Sequence, residues 1–182
     1  MQAIVCVDQN WGIGKGGQLL FHIHADMKRF RELTTGHTVV MGRKTLESLP
    51  GKKGLPNRHN LVLTRNLNYT AEDCEVIHNA MQAIFSTGLE DFCIGGESVY
   101  RLLLPNCDRV FVTKVLAETD SDAHFPDLDA TDEWIIESES EIMEEDGLRF
   151  QYVEYVKDMD FDLIRIDMVD EDVPVTFEQP IN

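Results

Sequence analysis

Apolar and polar residues of this chain alternate between strand-like and helix-like periods up to about residue 105. Short runs rich in β-branched and aromatic residues, most with turn residues on at least one side, predict strands. These runs lie at residues 3–7, 38–41, 60–64, 74–77, 91–94, 109–115, 134–141 and 148–156. Apolar residues at helical spacing predict helices over 25–34, 43–49, 79–87 and 98–104.

The order of these elements predicts the fold class. Strands and helices alternate first, and strands dominate after about residue 105, ending in a hairpin around residues 144–147. Such an order is typical of a mostly parallel α/β sheet to which the C-terminal hairpin adds an antiparallel edge. Two glycine-containing connections, 8–20 and 49–59, are longer than a simple link requires, and the first is expected to be mobile.

The chain has 182 residues, which predicts one domain. Its net charge of −17 is unevenly distributed, because residues 1–65 carry ten Lys/Arg against four Asp/Glu and residues 66–182 carry six against 29. So acidic a chain is not expected to bind nucleic acid non-specifically. The basic N-terminal part can still attract a small anionic ligand.

Neither a membrane nor an oxidising compartment is indicated. The chain has no run of about 18 apolar residues, and its first residues resemble a strand rather than a signal peptide. Its four cysteines show no C-x-x-C spacing, and Cys6 and Cys93 fall inside apolar strands. We therefore expect a cytoplasmic protein with reduced thiols.

Residues 158–182 form an acidic C-terminal extension to a domain predicted over 1–157. The extension has eight Asp/Glu and one Arg, and its segment 163–169 has the composition of a strand. A partly disordered tail and a segment docked on the domain both remain open.

Two strands end in glycine and turn directly into a helix. Gly95-Gly96 follows the strand at 91–94, and Gly42 follows the strand at 38–41, with Arg43, Lys44 and Thr45 at the start of the next helix. Glycine permits close approach of a ligand, and free N–H groups at a helix start favour anions. Glycine pairs also occur in such turns for steric reasons alone. Two such turns in one small domain predict a ligand with phosphates at more than one place.

Asp26 falls on the apolar face of the first predicted helix, together with Met27, Phe30, Leu33 and Thr34, whereas Arg29 is expected largely on another face. An aspartate in a first turn is often only a solvated helix-start residue. The alternative is a carboxylate at the floor of an apolar pocket, which would bind a cationic or amidine-like group.

Metal and hydrolase chemistry have little support. His22 and His24 have no third ligand at metal-binding spacing, so no metal site is expected. The chain contains neither a G-x-S-x-G nor an H-E-x-x-H motif.

Over about residues 1–157 the chain resembles the dihydrofolate reductase family. The matching pieces follow the family's order: Ile13-Gly14 with Leu19; Asp26 with Phe30 and Thr34; Val40-Met41-Gly42-Arg43-Lys44-Thr45 with Glu47-Ser48; Leu55-Pro56; Arg58-His59-Asn60; Leu63-Thr64-Arg65; Ile94-Gly95-Gly96 with Val99-Tyr100; Thr113; His124-Phe125-Pro126. The resemblance implies a central eight-stranded sheet flanked by four helices. It also implies hydride transfer from NADPH to C6 of 7,8-dihydrofolate, with a proton delivered to N5.

The resemblance assigns substrate roles. Asp26 would bind the amidine edge of the pterin and promote protonation without being the direct donor, with Thr113 in contact with its carboxylate. Ile4 and Ile94 would offer backbone carbonyls to the pterin amino group, and Arg58 would pair with the glutamate α-carboxylate. The remaining predicted substrate contacts are Val5, Met27, Phe30, Arg31, Leu49 and Leu55.

It assigns cofactor roles as well. The backbone of Cys6 and Ile13 would meet the nicotinamide carboxamide. Thr45 and the turn at 95–100 would hold the pyrophosphate, and Arg43, Thr64 and Arg65 would surround the 2′-phosphate, which favours NADPH over NADH. The other predicted cofactor contacts are Gly14, Leu19, Gly42, Lys44, Leu63, His78, Ile94, Gly95, Gly96, Glu97, Ser98, Val99 and Tyr100.

The chain departs from the family at Leu20-Phe21, where Pro-Trp is usual, and at His24, where Pro is usual. Two other functions are compatible with parts of the sequence. A pyrimidine reductase of riboflavin synthesis shares the fold and NADPH, but Asp26 with Phe30, and Arg58, argue against it. A non-catalytic folate- or nucleotide-binding relative would not need to retain Asp26, Thr113 and every cofactor-binding piece. We expect a monomer that binds dihydrofolate and antifolate-type small molecules.

Overall fold

The computed structural model describes residues 1–158 and divides them into twelve strands and four α-helices. The strands are β1 Gln2–Val7, β2 Gly12–Lys15, β3 Gln18–Leu19, β4 Thr38–Gly42, β5 His59–Leu63, β6 Glu75–Ile77, β7 Phe92–Gly95, β8 Arg109–Val115, β9 Ala123–His124, β10 Trp134–Glu139, β11 Met143–Glu145 and β12 Leu148–Lys157. The helices are α1 His24–Thr34, α2 Arg43–Ser48, α3 Ala80–Phe85 and α4 Glu97–Leu103, with short 3-10 turns at Pro50–Lys52 and Leu104–Asn106.

Eight strands form the central sheet in the order β10-β12-β8-β1-β7-β4-β5-β6, and β11 pairs with β12 beside this path. The pairs from β8 to β6 are parallel, whereas those of β12 with β8, β10 and β11 are antiparallel. The predicted fold class is confirmed: a mostly parallel eight-stranded sheet, four helices and an antiparallel C-terminal hairpin. A two-residue turn at Asp146-Gly147, both with positive φ, makes that hairpin, as the Asp-Gly sequence favours.

The helices cover both faces of the sheet, so its central strands are buried on both sides. Side chains of β1 alternate between two apolar clusters, with Ile4 on one face and Ala3, Val5 and Val7 on the other. The Ile4 cluster includes Leu46 of α2 and touches Phe30 and Leu33 of α1, while the other includes residues of α3 and α4. The carboxyl ends of β1, β4 and β7 form the edge at which open parallel sheets bind ligands.

The connection at 8–20 is more ordered than the sequence predicts. Gly14 and Lys15 of β2 pair with Leu19 and Gln18 of β3, and β2 also pairs with β9, giving a separate three-stranded antiparallel sheet. The sequence does not predict these strands, because β2 depends on backbone pairing with residues about 110 positions away.

Asp8, which follows β1, connects the small sheet to the central sheet through hydrogen bonds. Its buried carboxylate accepts hydrogen bonds from the backbone of Asn10 (2.8 Å) and Gly12 (2.7 Å) and from the backbone and hydroxyl of Thr119 (3.1 and 2.6 Å). Burial works against the charge, but these bonds together hold the pKa of Asp8 below its ordinary value.

Replacing Asp8 with alanine is expected to lower the free energy of unfolding by about 3 kcal/mol at pH 7, because buried donors lose a charged acceptor. The pKa of Asp8 is lower in the folded protein than in the unfolded chain. The stabilisation that ionised Asp8 provides is therefore complete above the ordinary aspartate pKa of about 3.9, and it is lost as the pH falls through the pKa of the folded protein. Urea unfolding at pH 7 and at lower pH measures both effects. Asp120→Ala, which removes an exposed partner of Lys15, is the control and should change stability by under about 0.5 kcal/mol.

Among residues 1–158, no helix is long and apolar enough to cross a membrane. The strand considered at 163–169, and nearly all of the acidic extension, lie outside the described residues.

Candidate active site

The carboxylate of Asp26 lies where α1 crosses the sheet. Thr113 of β8 donates its hydroxyl hydrogen to Asp26 Oδ1 at 2.5 Å, which joins residues 87 positions apart. Burial raises the pKa of Asp26 above its ordinary value, although the Thr113 hydrogen bond and the positive charge of Arg29 act in the opposite direction. Asp26 is therefore a partly buried acid with a fixed orientation, rather than a solvated helix-start residue.

An apolar wall stands beside this carboxylate. Phe30, Leu49, Leu55 and Ile94, all predicted substrate contacts, are partly buried and pack against the cluster that contains Ile4. The wall is thus formed by one side of the sheet, α1 and the segment after α2.

Two predicted members of the wall are placed differently. Val5 is buried in the opposite cluster, because neighbouring residues of β1 face opposite sides of the sheet, so its side chain does not join Ile4 in this wall. Met27 is 46% exposed on α1 and is not part of the cluster that contains Ile4.

Arg58 is held at the C-terminal end of α1. Its Nε donates to the hydroxyl of Thr34 at 2.8 Å, one terminal nitrogen donates to the carbonyl of Pro56 at 2.7 Å, and the other is 3.4 Å from the carbonyl of Arg31. The guanidinium also lies 5.8 Å from the centre of the Phe30 ring. Burial, with the nearby charge of Arg31, lowers the pKa of Arg58. A cation oriented in this way at the end of the wall suits a carboxylate ligand.

The carbonyl of Ile4 already has one partner, since the buried hydroxyl of Tyr100 donates to it at 2.7 Å. A carbonyl oxygen has a second lone pair, so a ligand amino group can still be accepted there. Burial raises the pKa of Tyr100 well above its ordinary value, which keeps this hydroxyl a donor.

The two glycine turns lie against each other. A Cβ on Gly42 would come within 3.0 Å of Val99 Cγ2, and a Cβ on Gly96 within 3.4 Å of the Thr45 hydroxyl. Gly95 has φ +106°, and a Cβ there would meet the Tyr100 ring at 2.8 Å. The two phosphate-binding turns predicted from the sequence therefore pack against each other, at the ends of adjacent strands β4 and β7.

The positions predicted for the 2′-phosphate lie further along the same edge. Gly42 and Leu63 are register partners, so the residues that follow them, Arg43 and Thr64, are neighbours. Arg43 is paired with Glu47 at 2.9 and 3.1 Å, whereas Arg65 is exposed and has no acidic partner among residues 1–158. His78 joins this group through a 2.9 Å hydrogen bond between its Nδ1 and the Thr64 carbonyl.

Most of the positions predicted to meet the nicotinamide lie in the small sheet. Ile13 and Gly14 are in β2, Leu19 in β3 is 58% exposed, and the Gly16 N–H donates to Asp122 at 2.8 Å. Cys6, at the end of β1, is mostly buried, and burial raises the pKa of its thiol far above the ordinary value.

The comparisons with known proteins agree with this geometry. The family model described as dihydrofolate reductase matches residues 1–157. Dihydrofolate reductase from Mycobacterium leprae is 40% identical over 149 residues, which cover 79% of this chain and 89% of that protein. The Bacillus subtilis enzyme is 36% identical over 138 residues, covering 75% and 81%.

The chain belongs to the dihydrofolate reductase family.

Among solved structures, it is similar to dihydrofolate reductase from Enterococcus faecalis complexed with NADP(H) and RAB-propyl. That likeness has a TM-score of 0.77 at 31% identity and covers 86% of this chain and 95% of the other. Membership confirms the predicted family, the oxidoreductase class and NADPH as the family's cofactor. The roles of individual residues stay predictions.

Two residues near the dihydrofolate reductase site escaped the sequence analysis. Arg29 was placed largely away from the apolar face, yet its guanidinium lies 4.2 Å from the centre of the Tyr152 ring and 3.2 Å from Glu154 Oε1, with only 17% of the side chain exposed. Glu145 binds the start of α1. Arg29 follows Asp26 by three residues, and this helical spacing could have indicated that the two side chains lie close together. Nothing in the acidic turn that contains Glu145 indicates its contact with α1.

Among residues 1–158, no cluster of three or more His, Cys, Asp or Glu side chains is placed to hold a metal ion.

Proposed function

We propose that this protein reduces 7,8-dihydrofolate to 5,6,7,8-tetrahydrofolate with NADPH, supplying tetrahydrofolate for one-carbon metabolism and nucleotide synthesis. The observation that carries the proposal is the Asp26–Thr113 pair, joined at 2.5 Å beside an apolar wall and a glycine-lined edge, in a chain of this family.

Asp26 binds the substrate through the amidine edge of the pterin. A carboxylate can accept two parallel N–H bonds, and such charge-assisted bonds are stronger in a site shielded from water. Thr113 holds one carboxylate oxygen, so the plane of the acid is set before the substrate arrives. The carbonyls of Ile4 and Ile94 accept from the pterin amino group, which fixes the ring in its plane.

The rest of the substrate follows the wall. Phe30, Leu49 and Leu55 contact the ring and the benzoyl group, and the guanidinium of Arg58 pairs with the α-carboxylate of the glutamate. Because Arg58 is already fixed by three oxygen contacts, little side-chain freedom is lost when it binds this carboxylate.

NADPH, when bound, would supply a hydride from its nicotinamide C4 to C6 of dihydrofolate and leave as NADP⁺. The glycine turns fit its pyrophosphate, because Gly42, Gly95 and Gly96 leave backbone exposed where a Cβ would crowd a neighbour. Thr45 and the start of α4 face the same edge. The backbone of Cys6 and Ile13 would hold the carboxamide, and Arg43, Thr64 and Arg65 would hold the 2′-phosphate.

The proton that completes the reaction goes to N5. Asp26 promotes this step by stabilising positive charge on the pterin, while the proton itself comes from solvent. Phe21, where the family usually has tryptophan, cannot donate a hydrogen bond, so this chain orders solvent near N5 without an indole N–H.

The proposal is tested by NADPH oxidation at 340 nm, with dihydrofolate as substrate and the pyrimidine ribose phosphate of riboflavin synthesis as control. We expect oxidation that depends on dihydrofolate and none with the control. Activity with the pyrimidine only would assign the related reductase function, and binding of both ligands without turnover would assign a binding protein.

Removing the acidic extension tests the domain boundary. A chain ending at Lys157 should keep kcat and both KM values within about threefold, because every assigned ligand contact lies within residues 1–157. Steady-state kinetics of the truncated and full chains measure this. A truncated protein that keeps its unfolding midpoint but no longer binds NADPH or dihydrofolate would place the extension in the active site.

A further inference from the structure

The first turn of α1 has its N–H groups bound by a residue from the other end of the chain. Ile23 occupies the cap position, and its side chain has no acceptor. The Ala25 N–H donates to Oε2 of Glu145 at 3.0 Å, and the His24 N–H donates to Oε1 of the same carboxylate. One carboxylate therefore accepts from two backbone donors of the first turn and meets the positive end of the helix dipole.

Glu145 is fixed by the strand pairing around it. It is the last residue of β11 and the register partner of Leu148 across the tight turn at Asp146-Gly147. β12 continues from this turn into the central sheet, so the carboxylate has a defined position relative to β8.

The same two elements share an apolar cluster. Ile23 and Phe150 are buried together in it, and Ala25, Met143 and Leu148 pack around them. The start of α1 is thus joined to the hairpin by apolar packing as well as by hydrogen bonds. Apolar side chains can shift slightly past one another without losing contact. The two hydrogen bonds to the Glu145 carboxylate are directional, so they fix the position of α1 along its own axis.

Asp26 follows Ala25 directly, and its bond to Thr113 is 2.5 Å long. Thr113 is the register partner of Tyr152 in β12, the strand that also carries the hairpin. The hairpin and Thr113, whose hydroxyl donates to Asp26, therefore belong to one sheet, and Glu145 joins the start of α1 to that sheet.

We propose that Glu145 is a positioning residue, whose carboxylate holds the first turn of α1 so that Asp26 meets Thr113 and the substrate in the productive geometry. This inference rests on the proposed function for its kinetic consequences but not for its structural ones.

The kinetic test compares Glu145→Ala with Glu144→Ala, the neighbouring exposed acid on the same strand. Glu145→Ala should lower kcat/KM for dihydrofolate by about tenfold while the dissociation constant of NADPH changes less than twofold. Glu144→Ala should leave both within twofold. Equal losses in the two variants, or a Glu145→Ala enzyme within twofold of the wild type, would overturn the proposal.

A second substitution separates the cap from general damage to folding. Proline at the first helical position has no N–H and a suitable φ, and Ile23 before it already has the extended backbone (φ −98°, ψ 121°) that proline requires. His24→Pro removes one of the two donors that Glu145 serves. In the double variant His24→Pro/Glu145→Ala, we expect at least threefold recovery of the lost kcat/KM. No recovery would contradict the role of these hydrogen bonds.

Amide hydrogen exchange of Ala25 in the full chain gives a readout that does not depend on turnover. Exchange should accelerate at least tenfold in Glu145→Ala and not in Glu144→Ala. If the wild type does not turn over dihydrofolate, the proposed function fails, while this measurement still decides the capping. Unchanged exchange in Glu145→Ala would overturn the positioning role even in an active enzyme.

Discussion

Replacing Asp26 with asparagine should reduce kcat at pH 7 by about a hundredfold or more, within the range that a positioned acid–base group contributes. Asparagine has nearly the same shape and can still accept from Thr113, but it has no negative charge to stabilise a protonated pterin. Affinity for NADPH should be nearly unchanged. Part of the lost rate should return at low pH, where the substrate arrives already protonated from solvent.

The same variant is expected to be more stable than the wild type at pH 7. Burial raises the pKa of Asp26 in the folded protein, so the folded state binds its proton more tightly than the unfolded state does. Ionising Asp26 therefore costs folding stability, and this cost is absent below the ordinary aspartate pKa and complete above the raised one. Denaturant midpoints at pH 7 and at pH 3 should show a gain for Asp26→Asn that disappears at the lower pH.

Glu32→Gln is the control for both measurements, because Glu32 is an exposed acid on the same helix, paired only loosely with Lys28 at 3.8 Å. It should change kcat by less than twofold. Near wild-type turnover of Asp26→Asn at pH 7 would show that Asp26 does not have the assigned role.

The second large effect concerns the choice of cofactor. A charge-assisted contact to the 2′-phosphate is worth on the order of 1.5–3 kcal/mol, so the wild type should prefer NADPH over NADH by at least about tenfold in kcat/KM. Since Glu47 already pairs with Arg43, whereas Arg65 is exposed and without an acidic partner in residues 1–158, Arg65→Ala should lose more of this preference than Arg43→Ala.

Kinetics with both cofactors measure this preference. The arginine variants should raise KM for NADPH and leave the NADH parameters within about twofold. Lys28→Ala, which removes an exposed cation of α1, serves as the control. Equal use of the two cofactors by the wild type would reject these positions as phosphate ligands.

Much of the fold follows from local pattern. The strands of the central sheet have strong β-branched or aromatic runs, and the helices between them have clear periodicity, so element type and order were predictable to within a few residues. The small sheet of β2, β3 and β9 was not, because its strands are two to four residues long and it depends on pairing between residues about 110 positions apart.

The candidate site likewise contains some residues that could be predicted from the sequence and others that could not. Asp26, Thr113 and the glycine turns were assigned from motifs, and the structure brings Asp26 to Thr113 and one turn to the other. Arg29 was assigned to a solvent-facing side of α1 because it is charged, although its spacing of three residues from Asp26 places it near that residue, where its guanidinium lies over the Tyr152 ring. Glu145 belongs to a run of acidic residues at a turn, which the sequence alone predicts to be solvent-exposed. Its contact with α1 depends on tertiary structure and could not be predicted from the sequence.

The most direct test of the central claim follows a label from cofactor to product. With NADPH carrying deuterium at both C4 positions of the reduced nicotinamide, and 7,8-dihydrofolate in ordinary water, the account predicts tetrahydrofolate with one deuterium, located at C6. Proton NMR of the isolated product determines the position. Deuterium at any other carbon, or product without label, would contradict direct hydride transfer to C6 in this site.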